Sequence, residues 1–367
     1  MAMEIFSKYP LWLIVSTLLI LIVPSALAII KKIKKRDAIR YIIFGLIAIY
    51  LLYWAYKDVD YNQLFEQLKN TNWWWIGAAL IVEYVSIIFR GFRWNQLLEP
   101  LNYKANDWNA IHAVSFGYCM NDLVPRSGEV ARCTLLYKSD KIPVHTLIGT
   151  VITERIIDMV MFGVLLLSGF LLLPSTISSL FDSTKSVDVS AGILIFLVVF
   201  MIAGIIVFRY ILKHTFQNPF LEKFAQFVRG TWAALISVRK VKGFGKFIGY
   251  TFGIWLAWLA MTWFNLLAIP GCDHMGLNES IFLMICASLA MLAPTPGGLG
   301  AFHSMTVLGF IVLGYADPGS TDTSLLGLTF ATISWATRTF MEIASGFVGF
   351  LIVSYRIKKQ THAPAHS

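Results

Sequence analysis

Charged residues interrupt otherwise apolar sequence in four places, and their types suit the recognition of an anion at membrane depth. Glu83, Arg90 and Arg93 form one group. Asp122, Arg126, Glu129 and Arg132 form a second, Glu154, Arg155 and Asp158 a third, and Arg338 and Glu342 a fourth. Within hydrocarbon an ionised side chain costs about 3 kcal/mol or more unless it is paired, so such residues face a bundle interior or a water-filled cavity. Glu154 and Asp158 are four apart and share one helix face, as do Arg338 and Glu342. Pairing that only fastens helices together is the alternative to a working role for these groups. For Arg126, Glu129 and Arg132 function is favoured, because a guanidinium beside open backbone N–H groups makes a phosphate site.

The open backbone comes from two interruptions of the same kind. One reads Leu123-Val124-Pro125-Arg126-Ser127-Gly128-Glu129, the other Leu292-Ala293-Pro294-Thr295-Pro296-Gly297-Gly298-Leu299-Gly300. Each is a Leu-x-Pro-x-x-Gly step, in which Pro lacks the N–H a helix needs and Gly tolerates the turn that follows. In a bilayer such breaks survive only where protein or water satisfies their polar groups, so they tend to line a cavity. Paired broken segments in two halves of a chain point to the substrate site of an inverted-repeat transporter. Pro125 and Gly128 would shape the first break. In the second, Pro296, Gly297, Gly298 and Gly300 would bring N–H groups close to a ligand, with His303 a titratable group one turn on. Glycine at a tight helix crossing is the alternative there.

These residues need spanning helices to position them, and the composition supplies them. Of 367 residues 57% are hydrophobic and only 14% charged, which makes the chain an all-α, multi-pass membrane protein. Seven spans are expected, near 10 to 30, 38 to 56, 72 to 92, 146 to 173, 190 to 212, 246 to 270 and 323 to 354. Lys and Arg crowd residues 31 to 40, 209 to 246 and 356 to 359, which places those loops in the cytoplasm, the N-terminus outside and the C-terminus inside. Residues 105 to 145 must then enter and leave from the cytoplasm, and residues 279 to 320 from the outside. They are expected to be re-entrant hairpins of opposite orientation, in repeats at about 72 to 173 and 246 to 354. The alternative is a pair of full spans kinked by Pro, which leaves the other crossings unchanged. In domain terms, residues 1 to 37 are an anchor helix and basic loop, 38 to 355 the transmembrane domain, and 356 to 367 a cytoplasmic tail.

Several function classes are excluded or disfavoured. The net charge of +9 is accounted for by loops beside the spans, so no nucleic-acid partner is expected. Cys119, Cys133, Cys272 and Cys286 have no metal spacing and behave as small hydrophobes. No metal, cofactor or Walker-type nucleotide loop is expected. Ala26-Leu27-Ala28 resembles a peptidase site, but the basic cluster follows the first apolar run instead of preceding it, so that run reads as an anchor. Residues 219 to 240 mix Phe220, Phe224, Phe227 and Trp232 with Lys223, Arg229, Arg239 and Lys240, as in a helix lying in the interface. Trp73, Trp74 and Trp75 mark an outer interfacial belt. Past Lys359 only a short polar tail follows, and no soluble catalytic domain is expected.

From about residue 38 to 355 the chain resembles the membrane domain of lysylphosphatidylglycerol synthetases, which also occurs as stand-alone proteins described as flippase-like. The likeness rests on Arg90-Gly91-Phe92-Arg93-Trp94, Asn121-Asp122-Leu123-Val124-Pro125-Arg126-Ser127-Gly128-Glu129-Val130-Ala131-Arg132, Glu154-Arg155-Ile156-Ile157-Asp158 and Pro294-Thr295-Pro296-Gly297-Gly298-Leu299-Gly300. It implies movement of a lipid with a polar head group between leaflets, the lipid being an aminoacylated phosphatidylglycerol in fused members. Many relatives carry an acid after the Pro-Gly-Gly turn, where this chain has Ala301-Phe302-His303. The expectation is therefore a non-enzymatic lipid transporter of a bacterial-type plasma membrane. Its partners would be anionic or aminoacylated phospholipids or polyprenyl-linked glycolipids. Arg126 and Arg132 would hold the lipid phosphate, and Glu129, Glu154 and Asp158 would orient them or relay protons. The rivals are an intramembrane enzyme acting on a lipid phosphate, which lacks an evident nucleophile, and a scaffold for a lipid-modifying partner.

Overall fold

A computed structural model describes residues 35–56, 61–172, 209–215, 217–219, 221–222, 225–226, 228–229, 243–315 and 321–362. The expected spans at 10 to 30 and, apart from its last residues, 190 to 212, and most of the interfacial segment at 219 to 240 lie outside the described residues. Among the described residues there is helix and no strand. The elements are α1 (Lys35–Tyr56), α2 (Tyr61–Lys69), α3 (Trp73–Leu98), α4 (Asp107–Leu123), α5 (Gly128–Asp140) and α6 (Val144–Leu172). They continue as α7 (Phe244–Leu267), α8 (Leu277–Ala290), α9 (Ala301–Val312) and α10 (Thr321–His362).

Among the described residues four helices are long and apolar enough to cross a membrane: Trp73–Leu101, Val144–Leu172, Phe244–Leu267 and Leu325–Lys359. The spans expected at 72 to 92, 146 to 173, 246 to 270 and 323 to 354 fall on them. The apolar part of α1, Tyr41–Tyr56, is shorter than the roughly 20 residues that cross a bilayer untilted. Helix α3 runs past the expected end near residue 92. Its last turns stay helical because Trp94 and Leu98 are fully buried in an apolar core with Ile111, Leu136 and Leu147, and burial of that size outweighs the local cost of continuing the helix.

Polar caps set where the helices begin. The Asn72 side chain accepts from the Trp74 N–H at 3.1 Å to open α3, and Asn106 accepts from the N–H groups of Trp108 and Asn109 to open α4. Helix α4 ends because Pro125 drives Val124 into extended conformation (φ −137°, ψ 111°). Ser127 Oγ then donates to the carbonyls of Met120 and Val124, both at 2.9 Å, and Gly128 N–H donates to Asn121 Oδ1 at 2.7 Å. The break thus satisfies its own loose ends with neighbouring polar side chains, as burial demands.

Helices pack by an exchange rule. α3 lies against α7; α4 against α10 as α8 lies against α6; α4 against α5 as α8 against α9; and α5 against α6 as α9 against α10. An apolar core at each end flanks the polar centre. One is built on Trp94, Ile111 and Leu136, the other on Ile76, Leu266, Phe310 and Phe330. Outward faces are apolar too, with Met159, Val160 and Leu171 of α6 and Phe340 and Phe347 of α10 exposed, as suits hydrocarbon.

Candidate functional site

Between those cores, α3, α5 and α6 bring buried charges of both signs together. Arg90 and Arg93 are three apart on one face of α3 and are 1% and 0% exposed, Arg132 of α5 is 4% exposed, and Glu154 of α6 is 0% exposed. Arg90 Nη1 donates to Glu154 Oε1 at 3.1 Å and to Asp158 Oδ2 at 3.4 Å. Arg93 Nη2 lies 2.9 Å from Asp158 Oδ1 and 3.4 Å from Glu154 Oε1. Arg132 Nη1 donates to Glu154 Oε2 at 3.1 Å. Among the buried arginines alone, Glu154 thus meets three guanidinium groups, and Asp158, one turn on, meets two of them.

Aromatic faces complete this arginine centre. The Arg90 guanidinium lies 4.6 Å from the Trp258 ring and 5.4 Å from that of Tyr118, and Arg132 lies 4.8 Å from Trp94. Trp94 is fixed in turn by an Nε1–H···Oγ1 bond to Thr150 at 2.9 Å. Cation–π contact of this kind favours a desolvated cation. Donors remain over: Arg93 Nε and Nη1 and Arg132 Nη2 are buried without hydrogen-bond partners. Half-exposed Arg155 reaches Glu154 at 3.5 Å and Glu129 at 3.9 Å, and with Gly117, Asn121, Gly128 and Arg132 it lines a small cleft into the centre.

The second break meets a different set of groups. Arg338 of α10 donates through Nη2 to the Gly297 carbonyl at 2.6 Å, and Trp335 Nε1 donates to the same oxygen at 2.9 Å. An ideal Cβ on Gly297, whose φ is +54°, would sit 2.6 Å from Asp122 Oδ1. The two breaks therefore touch, Asp122 from the first against Gly297 from the second. Gly346 of α10 packs on Ser115 and Cys119 of α4, which sets Glu342, one turn earlier and 6% exposed, beside Asp122; Glu83 of α3, 2% exposed, feels the charges of both Glu342 and Arg338. This carboxyl centre holds three acids and one arginine. Arg338 and Glu342, expected as a possible pair, are neighbours in which the guanidinium fork is directed to the break and to Met291 Sδ at 3.1 Å.

Other expected site residues are distributed as follows. Arg126 is exposed in a left-handed turn (φ +62°) and outside the arginine centre, with Pro125 beside it. Gly128 is a close-approach residue: a Cβ there would collide with the Gly117 carbonyl oxygen. Gly300 presses on α1, where a Cβ would meet the Ala48 carbonyl at 2.6 Å, and a Cβ on Gly298 would meet Met291 Sδ at 2.5 Å. Pro296 opens the 3-10 turn Pro296–Gly298. His303 is 2% exposed, with Nδ1 unpartnered and the rings of Tyr56 and Trp335 at 5.7 and 5.9 Å.

Sequence reasoning missed Tyr118 and Trp258, because an aromatic residue in an apolar helix carries no signal until a cation is packed on it. All four cysteines are buried and unpaired. Among the described residues no group of His, Cys, Asp and Glu is arranged to hold a metal ion. A larger groove of about 420 Å³, lined by Phe116, Leu135, Lys138, Phe350 and Ile357, lies away from both charged centres.

Comparison with known sequences agrees with the motifs. The profile of the family described as "Lysylphosphatidylglycerol synthase TM region" matches residues 38–335. A "UPF0104 membrane protein" of Methanocaldococcus jannaschii is 23% identical over 335 residues, which cover 83% of this chain and 92% of the relative. Another of that description, from Pyrococcus horikoshii, is 22% identical over 302 residues, covering 74% of this chain and 86% of the relative. No solved structure matches. The chain belongs to the lysylphosphatidylglycerol synthase transmembrane-region family.

Proposed function

We propose that the protein moves a lipid with a phosphate-bearing head group between the leaflets of a plasma membrane, as a transporter and not an enzyme. The observation that carries this reading is the set of unpartnered donors in a buried arginine centre. Arg90, Arg93 and Arg132 outnumber Glu154 and Asp158, and Arg93 Nε and Nη1 and Arg132 Nη2 have no partner. Buried guanidinium N–H groups left unpaired are costly, and a phosphate accepting them in parallel removes that cost. Half-exposed Arg155 and Glu129 stand at the mouth of the cleft, where a head group would first be met. The aromatic rings hold Arg90 and Arg132 in place when the head group leaves.

The helix pairing supports an inverted repeat in which α3 to α6 and α7 to α10 are the two units. Each close pair in one unit has its counterpart in the other, and the breaks fall at corresponding places, between α4 and α5 and between α8 and α9. In this reading α4–α5 and α8–α9 are re-entrant hairpins of opposite orientation whose tips meet at Asp122 and Gly297, and access alternates by rocking one unit on the other.

Two measurements test the proposal. Purified protein in liposomes should expose tail-labelled phosphatidylglycerol to an external quencher, and Arg132→Gln should abolish that movement while the variant keeps its helical content. Retention of full movement would remove the arginine centre from the function. Single cysteines near Val124 and near Pro296 should label from the cytoplasmic and the outer side respectively. Labelling of both from one side would sink the hairpin arrangement.

A further inference from the structure

The carboxyl centre does not balance itself. Glu83, Asp122 and Glu342 face one guanidinium, and the fork of Arg338 is directed to the Gly297 carbonyl and Met291 Sδ instead of bracketing any of the acids. Among the groups around them, Arg90 from α3 is engaged by Glu154 and Asp158. Tyr118 and Cys119 approach from α4, and His303 from α9 feels the charge of Arg338 and packs near Trp335. None of these brings a second free positive charge. The arginine centre leans the other way, with Arg90, Arg93, Arg132 and Arg155 facing Glu154, Asp158 and, at the cleft, Glu129.

A group of acids alone would not define a site, but a separate observation shows that this one is open to a ligand. Glu83 comes from a different helix, is 2% exposed, and leaves Oε2 buried with no hydrogen-bond partner. Its neighbour Ser86 gives its hydroxyl hydrogen to the Glu83 backbone carbonyl at 2.8 Å. Asp122 Oδ2 is likewise buried and unpartnered. Carboxyl groups that outnumber the cation among them share protons, because each proton turns a repulsion into an O–H···O bond.

We propose that Glu83, Asp122 and Glu342, gathered around Arg338, are a proton-binding site whose loading accompanies head-group binding at the arginine centre. The coupling rests on the transport reading above; the proton site itself does not. Helix α3 carries Glu83 toward one centre and Arg90 and Arg93 toward the other, so the excess positive charge of the second offsets part of the excess negative charge of the first. A phosphate on the arginines cancels that offset. A proton taken from water onto a carboxylate oxygen then restores it, forming one O–H bond, and the same bond breaks when the head group departs. Loading also bears on the breaks, since Asp122 Oδ1 stands against Gly297 and Arg338 holds the Gly297 carbonyl.

Infrared titration of the purified, lipid-free protein tests the site, and liposomes test the coupling. The protonated-carboxyl band should titrate in wild type and lose intensity in Glu83→Gln, Asp122→Asn and Glu342→Gln. A band unchanged in all three overturns the proton site whatever happens to lipid. In liposomes, an imposed pH gradient should speed tail-labelled phosphatidylglycerol movement several-fold in wild type and leave Asp122→Asn indifferent. Equal wild-type rates with and without the gradient overturn the coupling and leave the transport reading intact. Rates that follow sodium instead of pH overturn the proton as ligand. Absence of any lipid movement overturns the transport reading and the coupling with it, and the infrared band then decides the site by itself.

Discussion

The arginine centre and the carboxyl centre share α3 yet handle buried charge in opposite ways. At the first, Glu154 and Asp158 are interleaved among guanidinium groups at 2.9 to 3.4 Å, with aromatic rings filling the remaining directions. At the second, the acids outnumber the cation and the one arginine is directed to backbone. A set of opposite charges packed at contact distance resists rearrangement, whereas like charges beside a bent backbone respond to small changes in occupancy. The first arrangement suits holding a head group, and the second suits sensing that one is held.

Removing one carboxylate from each centre gives the largest test of that contrast. Glu154→Gln leaves Arg90, Arg93 and Arg132 without their common counter-ion, and breaking a buried pair in this way costs about 3 to 5 kcal/mol. Asp122→Asn removes a like charge from a group of acids and should change stability by less than about 1 kcal/mol. Thermal unfolding in a fixed detergent compares the two. Equal destabilisation would mean that Asp122 is also a structural ion-pair partner, and the contrast would fail.

A smaller effect separates arginines inside and outside the centre. Arg132→Lys keeps a positive charge but loses the planar fork, so affinity for a phosphate-bearing lipid should fall by about 1 to 3 kcal/mol. Arg126, exposed on the tip of the first break, should behave as a surface charge, with Arg126→Gln costing less than about 1 kcal/mol of binding. Equilibrium binding of one labelled phosphatidylglycerol to all three proteins checks this. If Arg126→Gln is the more damaging, the head group binds at the turn and not between the helices.

Membership of the charged set was legible in the sequence, because a Glu or Arg in an apolar run is conspicuous wherever it lies. Its division into two centres was not. Glu83 and Arg90 are seven residues apart on one helix, and only the packing of α3 against α6 on one side and α10 on the other sends them to different partners. The breaks were legible from Pro125, Pro294 and Pro296, which no continuous helix accommodates. The reasons for the glycines were not: Gly128 and Gly300 answer to carbonyl oxygens of Gly117 and Ala48, contacts that local sequence cannot announce. The exposed position of Arg126 against the buried one of Arg132 follows from where α5 begins, at Gly128, since only residues past that point are carried inward by the helix.

The finest test concerns the contact between the breaks themselves. Gly297→Ala meets two costs, a left-handed φ of +54° and a Cβ only 2.6 Å from Asp122 Oδ1. The conformational part is about 1 to 2 kcal/mol and belongs to the turn alone. The collision depends on Asp122 and should disappear in Asp122→Ala, which takes away the oxygen without altering the turn. A double-mutant cycle of Gly297→Ala with Asp122→Ala should therefore show the two changes to be less harmful together than their sum, by about 0.5 to 1 kcal/mol. Gly298→Ala supplies the internal comparison, since its Cβ meets Met291 Sδ and not the acid, and its cycle with Asp122→Ala should be additive. Unfolding midpoints at one pH measure both cycles. Additivity in the Gly297 cycle would mean that the tips of the two breaks do not bear on each other, and that a change at the carboxyl centre has no direct mechanical route to the second turn.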